Sequence, residues 1–487
     1  MPNFFKLELI LNLLKIILQE GYVWIKEKSL LTAETQLCSQ AREKTDRLFD
    51  EGSFIETDMF SGKAGGAVNE GVITGYGTVD SRSVFVYAND GSPEGAFGKE
   101  QAKKILKTLK TARLTGAPVV ALLDDCTVKL DDKAEALNSL GKLYSEYAAL
   151  SGTVLTVSVV FGTCAGGCAI VPALSDFVIM TEKSRLMLTG EALSSESGRD
   201  KGDVSSPLVN SKINGNADFV AADSAAAIAK VKELIALLPG CSAEHAPEDE
   251  CTDDLNRISN VFGNGASLGD TIRAISDNGI YLPVAEEYAT SIETGFIKIN
   301  GRTIAVVAGG NELDSSAFEK AVKMVKFADA FNIPVLTLCE AEGFKASIAE
   351  EHGKILKSAA ALSYAYSFAT VPKVTLITKS ACASAGIIMG SRAVGADFVI
   401  AWPEAVIGTI SPDMATVLLY GKNGVTDKDT IKADYINNEA NALNAASTGF
   451  IDDVIEPETT RPRLAAAFEM LYTKNRNVQK KHSGLAL

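Results

Sequence analysis

The chain has 487 residues, with 46% hydrophobic and 22% charged residues and a formal net charge of −14. That length fits two or three domains with sizeable cores. The acidic balance argues against a nucleic-acid or anionic-membrane surface, while leaving room for local basic pockets. Eight cysteines include no C-x-x-C pair and there are only three histidines (His245, His352, His482). Zinc-ribbon, metal and Ser-His readings are weakened accordingly. No cleavable secretory pattern is evident, so a cytosol with reduced thiols is expected.

In chain order, the first 25 residues carry an apolar run interrupted by Lys6, Glu8, Lys15 and Glu20. The run is too broken to span a membrane. Phe5, Leu9, Leu13, Ile16 and Ile17 recur at helical spacing. An amphipathic helix docked on the body or a partner is the plainer reading, an interfacial anchor the sharper one. Lys26 to Arg47 reads as a polar helix. Glu51 to Asn89 alternates apolar and polar residues between glycine turns, which predicts an antiparallel hairpin. Helices follow at Lys99 to Leu114 and Lys133 to Leu150, around a buried strand at Gly116 to Asp124. Strand–helix alternation implies a parallel sheet with right-handed crossovers.

The central stretch is Thr153 to Met180. Thr153 to Phe161 is rich in Val and Thr, as in a strand buried on both faces. Gly162 to Gly167 breaks it, and small apolar residues continue as a helix. Gly166 and Gly167 then fall at the helix start, where backbone N–H groups lack intrahelical partners. Without Cβ atoms they admit a close ligand, and free amides there suit an oxygen carrying negative charge. An ordinary tight turn would read the same way. Recurrence favours the site. Val374 to Ile400 repeats the strand, the small-residue turn and the exit DFVI. Arg82 and Arg302, Pro118 and Pro334, Asp50 and Asp277, and Asp176 and Asp397 recur at a spacing of roughly 220 residues. The chain is therefore read as two copies of one α/β domain.

Ser194 to Asn216 is expected to loop over the site, and a helix is expected at Ala225 to Leu238. Pro239 to Asn264, acidic and weakly periodic, is the expected connector. Helices are predicted at Ser315 to Phe331 and Ile348 to Thr370, with a polar tail at Asn475 to Leu487. The divisions expected are 1–44 (helical extension), 45–240 (first domain), 241–268 (linker) and 269–487 (second domain).

Other candidates have plainer readings. Cys164 and Cys168 flank the turn, but no histidine is nearby in sequence, so buried structural cysteines are favoured over a nucleophile. Asp124-Asp125 could be a carboxylate pair or metal site, and a strand-end helix cap is preferred. Lys99, Lys103 and Lys104 could meet CoA phosphates, and a solvated helix face is preferred.

From about Asp46 onward the chain resembles the carboxyltransferase subunits of biotin-dependent acyl-CoA carboxylases and decarboxylases, in the crotonase/ClpP superfamily. The resemblance rests jointly on RLFDEGSFIETDMF, GVITGYGTVDSRSVFVYAND, GTCAGGCAIVPALSDFVIM, AFEKAVKMVKFADAFNIPVLTL, YAYSFATVPKVTLITKSA, GSRAVGADFVIAWPEA, TGFIDDVIEP and KKHSGLAL. It implies two tandem crotonase-like domains and carboxyl transfer between carboxybiotin and an acyl-CoA, with an amide oxyanion hole in each domain. By that resemblance Gly166 and Gly167 hold the thioester oxygen and Ala383 and Ser384 face biotin. Ala165, Cys382 and Ile387 contact substrate, Ile387 at a position that tunes the acyl group in the family, though a core isoleucine fits equally. No metal is implied. The resemblance further implies a biotin carboxyl carrier protein, a biotin carboxylase or a membrane decarboxylase subunit, and a homohexamer. The protein would be cytoplasmic, reaching a membrane only through a partner. Two departures stand out: Asp124 to Lys129 replaces a glycine-rich stretch, and Ala383-Ser384 replaces a glycine pair, narrowing the approach. A sodium-pumping decarboxylase subunit and a non-catalytic scaffold are the alternatives.

Overall fold

Consecutive strand residues point to opposite faces of a sheet, so a run of apolar residues with no alternation must be covered on both sides. The computed structural model describes residues 40–59, 71–89, 96–189, 202–262, 266–420 and 427–474. The apolar segment at 1–25, the polar stretch to residue 39, residues 194–201 and the tail 475–487 lie outside the described residues. Strands β1 (Ile55–Thr57), β2 (Val72–Val79), β3 (Arg82–Asn89), β4 (Val119–Leu123), β5 (Thr156–Val160), β6 (Thr163–Ala165), β7 (Phe177–Thr181), β8 (Arg185–Met187) and β9 (Phe219–Ala221) belong to the first lobe. The second has β10 (Tyr281–Val284), β11 (Ile292–Ile299), β12 (Arg302–Gly309), β13 (Glu312–Leu313), β14 (Val335–Ala341), β15 (Gly343–Phe344), β16 (Lys373–Cys382), β17 (Phe398–Ala401), β18 (Val406–Gly408) and β19 (Asp453–Val454).

The main sheets run β1-β2-β3-β4-β5-β7-β9 and β10-β11-β12-β14-β16-β17-β19. In each, the first three strands pair antiparallel and the rest parallel. This is one topology built twice: two tandem crotonase-like α/β domains. Alternation assigns the faces. Val84, Val86 and Ala88 of β3 and Ala305 and Val307 of β12 enter a single shared core. Phe85 and Tyr87 enter a core belonging to the first lobe, and Ile304 and Val306 one belonging to the second. Phe177 joins the lobes, its ring centroid 4.9 Å from Phe327 and 6.1 Å from Phe296.

The repeated polar residues hold equivalent joints. Asp80 and Ser81 turn β2 into β3 at φ 48 and 65, and Asn300 and Gly301 turn β11 into β12 at φ 55 and 73. Two consecutive left-handed residues make the hairpin turn that matches strand twist. The Asp50 carboxylate accepts the Asp80 and Ser81 N–H groups at 3.1 and 3.0 Å. That of Asp277 accepts those of Asn300 and Gly301 at 3.2 and 2.7 Å. The carbonyls of Pro118 and Pro334 accept from Phe85 and Ala305 N–H groups. Asp176 takes the Thr156 N–H and Asp397 the Lys373 N–H, each at 2.8 Å.

Two expectations need correction. The predicted helix from Ile348 to Thr370 is broken at Gly353 into Ile348–His352 and Ile355–Phe368. Of the stretch expected to be loop, residues 202–216 contain a π-helical turn, Val209–Ile213. The other helices fall where expected, including Lys99–Thr115, Ala134–Leu150, Ser224–Leu237 and Ser315–Ala330. Among the described residues no helix is long and apolar enough to cross a membrane.

Arg461 is 0% exposed, and nothing in its helical sequence context marks it as buried. Its guanidinium donates to the carbonyls of Asp254 (3.2 Å) and Ile275 (2.7 Å) and to Asp277 Oδ1 (2.9 Å). It thus supports the carboxylate that caps the β11–β12 turn. Removing one partner of a buried pair strands the other charge, so Arg461→Ala should cost about 3–5 kcal/mol in urea unfolding. A loss as small as that of an exposed arginine would remove this anchoring role.

Burial raises the Asp176 carboxyl to about 6 from 3.8, against hydrogen bonds from the Thr156 N–H and hydroxyl that favour the anion. A folded-state pKa above the unfolded one contributes stability that is complete below about 3.8 and lost as pH rises through about 6. Asp176→Asn has no such proton to release. Relative to the parent, its unfolding free energy should therefore improve by about 2–3 kcal/mol between pH 3.5 and 7. Parallel pH–stability curves would refute the assignment.

Candidate functional site

At the end of β5 the chain leaves the main sheet through Phe161 and Gly162. A β-carbon on Gly162 would lie 2.6 Å from carboxylate oxygens of both Asp124 and Asp125, so only glycine fits. Asp125 (φ 47) accepts the Thr163 N–H at 2.6 Å. The Cys126 N–H donates to the Thr163 carbonyl and the Ala165 N–H to that of Cys126. These bonds steer β6 alongside β8, with Ala165 opposite Met187. Ala165 is extended (φ −133, ψ 157), Gly166 is left-handed (φ 64), and Gly166–Ala169 forms a 3-10 turn that runs on into the helix Ile170–Ala173. Ala165, Gly166 and Gly167 are half-buried. The Tyr144 hydroxyl donates to the Gly167 carbonyl at 2.6 Å.

The second lobe repeats this path. β16 stays paired with β14 through a register shift at Cys339/Glu340, and its last three residues pair on the other side with β18, Cys382 opposite Gly408. Cys382 is extended (φ −107, ψ 145), Ala383 is left-handed (φ 53), and the helix Ala383–Ile388 begins there. Ala165, Gly166 and Gly167 thus correspond to Cys382, Ala383 and Ser384. A β-carbon on Gly386 would be 2.5 Å from the Ala381 carbonyl carbon, so the new helix lies directly against the strand it leaves. Beside this turn is a cavity of about 510 Å³. Ala383, Ser384 and Ile387 line it, facing Tyr435, Asn444 and Phe450. In both lobes the first-turn amides, such as those of Gly167 and Ser384, have no intrahelical acceptor by position. Such donors can stabilise an oxygen on which charge develops, without any titratable side chain.

The remaining candidates divide. Cys382 is fully buried, with its thiol 3.8 Å from the Val406 carbonyl oxygen, and burial raises its pKa to about 11. It offers the turn its backbone, and its side chain does not line the cavity. Ile387 is 41% exposed, so it is a wall of the cavity and not a core isoleucine. Cys126, Cys164 and Cys168 are buried together, and burial holds the Cys126 thiol well above its ordinary pKa. Asp124 and Asp125 cap no helix: Asp124 pairs with Lys44, whose ammonium lies 4.4 Å from the Phe161 ring centroid, and Asp125 caps the β6 entry. The second lobe answers with Glu340, held by Thr378 Oγ1 and Lys379 Nζ at 2.9 Å each. Lys99 and Lys103 are exposed, but Lys104 is buried and donates to the Val72 carbonyl at 2.6 Å, so the lysine face is not wholly solvated. Among the described residues no group of three or more His, Cys, Asp or Glu is arranged to hold a metal ion.

Tyr435, Asn444 and Phe450 were not singled out from the sequence. They come from the helices Lys428–Asn438 and Ala442–Ser447 and the turn after them. The asparagine-rich run between those helices is a capping signal, since Asn441 accepts the Asn444 N–H. It marks helix ends and carries no sign that they border a cavity.

The carboxyl transferase domain family matches residues 39–485. Methylmalonyl-CoA decarboxylase subunit alpha of Propionigenium modestum is 35% identical, covering 92% of this chain and 93% of its own. The methylmalonyl-CoA carboxyltransferase 12S subunit of Propionibacterium freudenreichii subsp. shermanii is 34% identical over 91% of this chain and 90% of its own. The propionyl-CoA carboxylase beta chain of Roseobacter denitrificans is 34% identical over 92% and 93%. Transcarboxylase 12S, solved as a hexamer with methylmalonyl-coenzyme A and methylmalonic acid bound, matches with a TM-score of 0.89 at 32% identity, over 96% of this chain and 98% of that one. A duplicated fold with one small-residue turn in each lobe, matched by such relatives over more than nine-tenths of its length, makes this chain a member of the carboxyl transferase domain family, a carboxyltransferase of the biotin-dependent acyl-CoA carboxylase and decarboxylase group.

Proposed function

We propose that the chain moves a carboxyl group between carboxybiotin, borne on a carrier protein, and an acyl-CoA of the propionyl/methylmalonyl or acetyl/malonyl type. The carrying observation is the repeated backbone of extended, left-handed and helical residues at Ala165–Gly167 and Cys382–Ser384. Residues 45–240 form the acyl-CoA lobe and 269–487 the biotin lobe, joined by 241–268. Gly166 and Gly167 receive the thioester oxygen, and the negative charge that grows there as the α-carbon gains or loses carboxyl is met by main-chain amides. Each such donor is worth about 3–4 kcal/mol of barrier. Ala383 and Ser384 serve the ureido oxygen in the same way. The cavity beside them suits a small bicyclic urea, with apolar walls at Ile387 and Phe450 and polar groups at Tyr435 and Asn444. When bound, carboxybiotin would supply the carboxyl as CO2, and biotin would receive it in the reverse direction.

Transcarboxylase 12S assembles as a hexamer. By analogy the first lobe of one copy faces the second lobe of another, and the biotin carrier enters between them. The reverse direction, as the alpha subunit of a decarboxylase with a membrane partner, is the second reading, supported by 35% identity to two methylmalonyl-CoA decarboxylase alpha subunits beside 34% to carboxylase and transcarboxylase subunits. A biotin carboxylase partner would instead complete a carboxylase.

Full-length protein given biocytin and methylmalonyl-CoA or malonyl-CoA should convert the thioester to its decarboxylated form. Absence of turnover with an intact oligomer and supplied carrier would favour a scaffold that does no chemistry. Co-purification with a multi-span membrane protein would select the decarboxylase. At Gly167 a β-carbon would lie 2.9 Å from Leu140 Cδ1 and 3.0 Å from Tyr144 Oη. Gly167→Val keeps its N–H but its side chain forces the turn to shift and misaims that donor, so kcat should fall by about 100- to 1000-fold, with the elution volume on gel filtration unchanged. Undiminished kcat would take Gly167 out of the site.

A further inference from the structure

Gly166 and Gly167 form the first-lobe turn with no side chain on either, and a β-carbon on Gly166 would meet no atom within 4 Å. Two consecutive glycines have the widest choice of backbone conformations, so their amides keep one direction only where neighbouring groups impose it. The entry to the pair is tied, because the Ala165 N–H donates to the Cys126 carbonyl at 3.3 Å. The exit is tied at Gly167, whose carbonyl accepts the Ile170 N–H and, at 2.6 Å, the Tyr144 hydroxyl. Tyr144 lies on the helix Ala134–Leu150, which is anchored to the sheet three residues later. There Tyr147 is buried, with its hydroxyl 2.6 Å from that of Tyr87 on β3. Leu140 and Tyr144 are one turn apart on one helix face, and both would touch a β-carbon on Gly167, so that face is fitted to the glycine. Burial raises the Tyr144 pKa, and the neighbouring Cys168 and Cys164 add to the rise, so the hydroxyl stays protonated as a donor.

We propose that Tyr144 is a positioning residue for carboxyl transfer: by holding the Gly167 carbonyl, its hydroxyl fixes the aim of the Gly167 N–H. Two peptide planes meet at the Gly167 α-carbon, one carrying the carbonyl and the other the N–H. With the first plane held by Tyr144 and the chain held again at Ala165, the plane between Gly166 and Gly167 does not swing freely. Tyr144 acts through Gly167 and is not itself a hole donor, since its one O–H is engaged by the carbonyl. This deepens the carboxyltransferase reading and rests on it. An amide that meets charge developing in the transition state acts on kcat and not on ground-state binding, so the loss of its aim is a loss in kcat.

The test compares unaltered full-length protein with Tyr144→Phe, which keeps the ring and removes the hydroxyl, using methylmalonyl-CoA with biocytin as acceptor. kcat should fall about 10-fold, less than the loss of a whole donor, with KM for the thioester unchanged. An unchanged kcat overturns the role, and so does a change confined to KM. Action through Gly167 is read from a double-mutant cycle with Gly167→Ala. Once that methyl has displaced the turn, removing the hydroxyl should cost less than about 2-fold more. A further loss of about 10-fold, as a merely structural effect would give, overturns it. Backbone hydrogen exchange judges the restraint without any turnover. Amides of 165–170 should exchange several-fold faster in Tyr144→Phe, while those of β5 do not change. Equal exchange at 165–170, or loosening that reaches β5, overturns the restraint. Failure of the unaltered protein to turn over methylmalonyl-CoA overturns the carboxyltransferase reading, whereas the exchange rates judge the Tyr144 restraint by themselves.

Discussion

A single left-handed residue between a strand and a helix start is the constraint on which the rest of this molecule depends. A parallel strand ends with its amides directed sideways into the sheet, and a helix begins with amides directed along its axis. One residue at positive φ joins the two and sets the direction in which the first helical amides point. Gly166 and Ala383 occupy that position in their lobes. The surroundings are arranged so that the joint cannot move. Gly162 is fitted against Asp124 and Asp125, and Gly386 is fitted against Ala381. Each turn is also clamped by a short strand, β8 or β18, outside the main sheet order.

Duplication kept the backbone constraints and let the side chains around them diverge. Asp50 and Asp277 cap matching hairpin turns with the same pair of N–H contacts, but among the described residues only Asp277 has a buried arginine behind it. The carboxylate at the end of the fourth core strand persists as Asp124 and Glu340. Its lysine comes from an N-terminal helix in one lobe and from the following strand in the other. Charge neutralisation at a strand end can be met by any cation that reaches it, so the partner is free to change. The backbone turn admits no such substitute. The lobes also share a core, through Phe177, Phe296 and Phe327, and Ala381 and Ala385 of the second turn lie in it, whereas Cys164 and Cys168 of the first turn pack in the first lobe's own core.

These differences explain what could be read from the sequence. The strand at Thr156–Val160, the hairpin, the repeat and both turns were legible because they are local: an apolar run, a glycine cluster, a recurring DFVI. Arg461 and Lys104 were not. A helical pattern says which face is apolar, and both residues are buried by carbonyls and carboxylates distant in sequence. The same holds for the cavity wall at Tyr435 and Asn444, whose helices read as ordinary capped segments. Asp124 and Asp125 were legible as strand-end residues, but their partners, Lys44 and Thr163, depend on how the chain folds back. Gly353 breaks a helix whose flanking pattern is continuous, as a residue without a side chain can wherever the adjoining segments are separately anchored.

Chemistry carried by main-chain amides has a particular tolerance. A histidine or cysteine nucleophile is lost by a single substitution, whereas an amide donor survives any change except proline. The turn at Cys382–Ser384 can therefore carry Ala383 and Ser384 where the first lobe has Gly166 and Gly167 and keep its N–H groups, at the cost of a strained φ. What it cannot do is lose the left-handed joint, since a different φ there would point the helix start elsewhere. The three histidines are widely spread in sequence and the cysteines at the turns are buried. Selection at such a site acts on backbone geometry first and on the small side chains that border it second. The second lobe has used that second freedom and the first, with Gly166 and Gly167, has not.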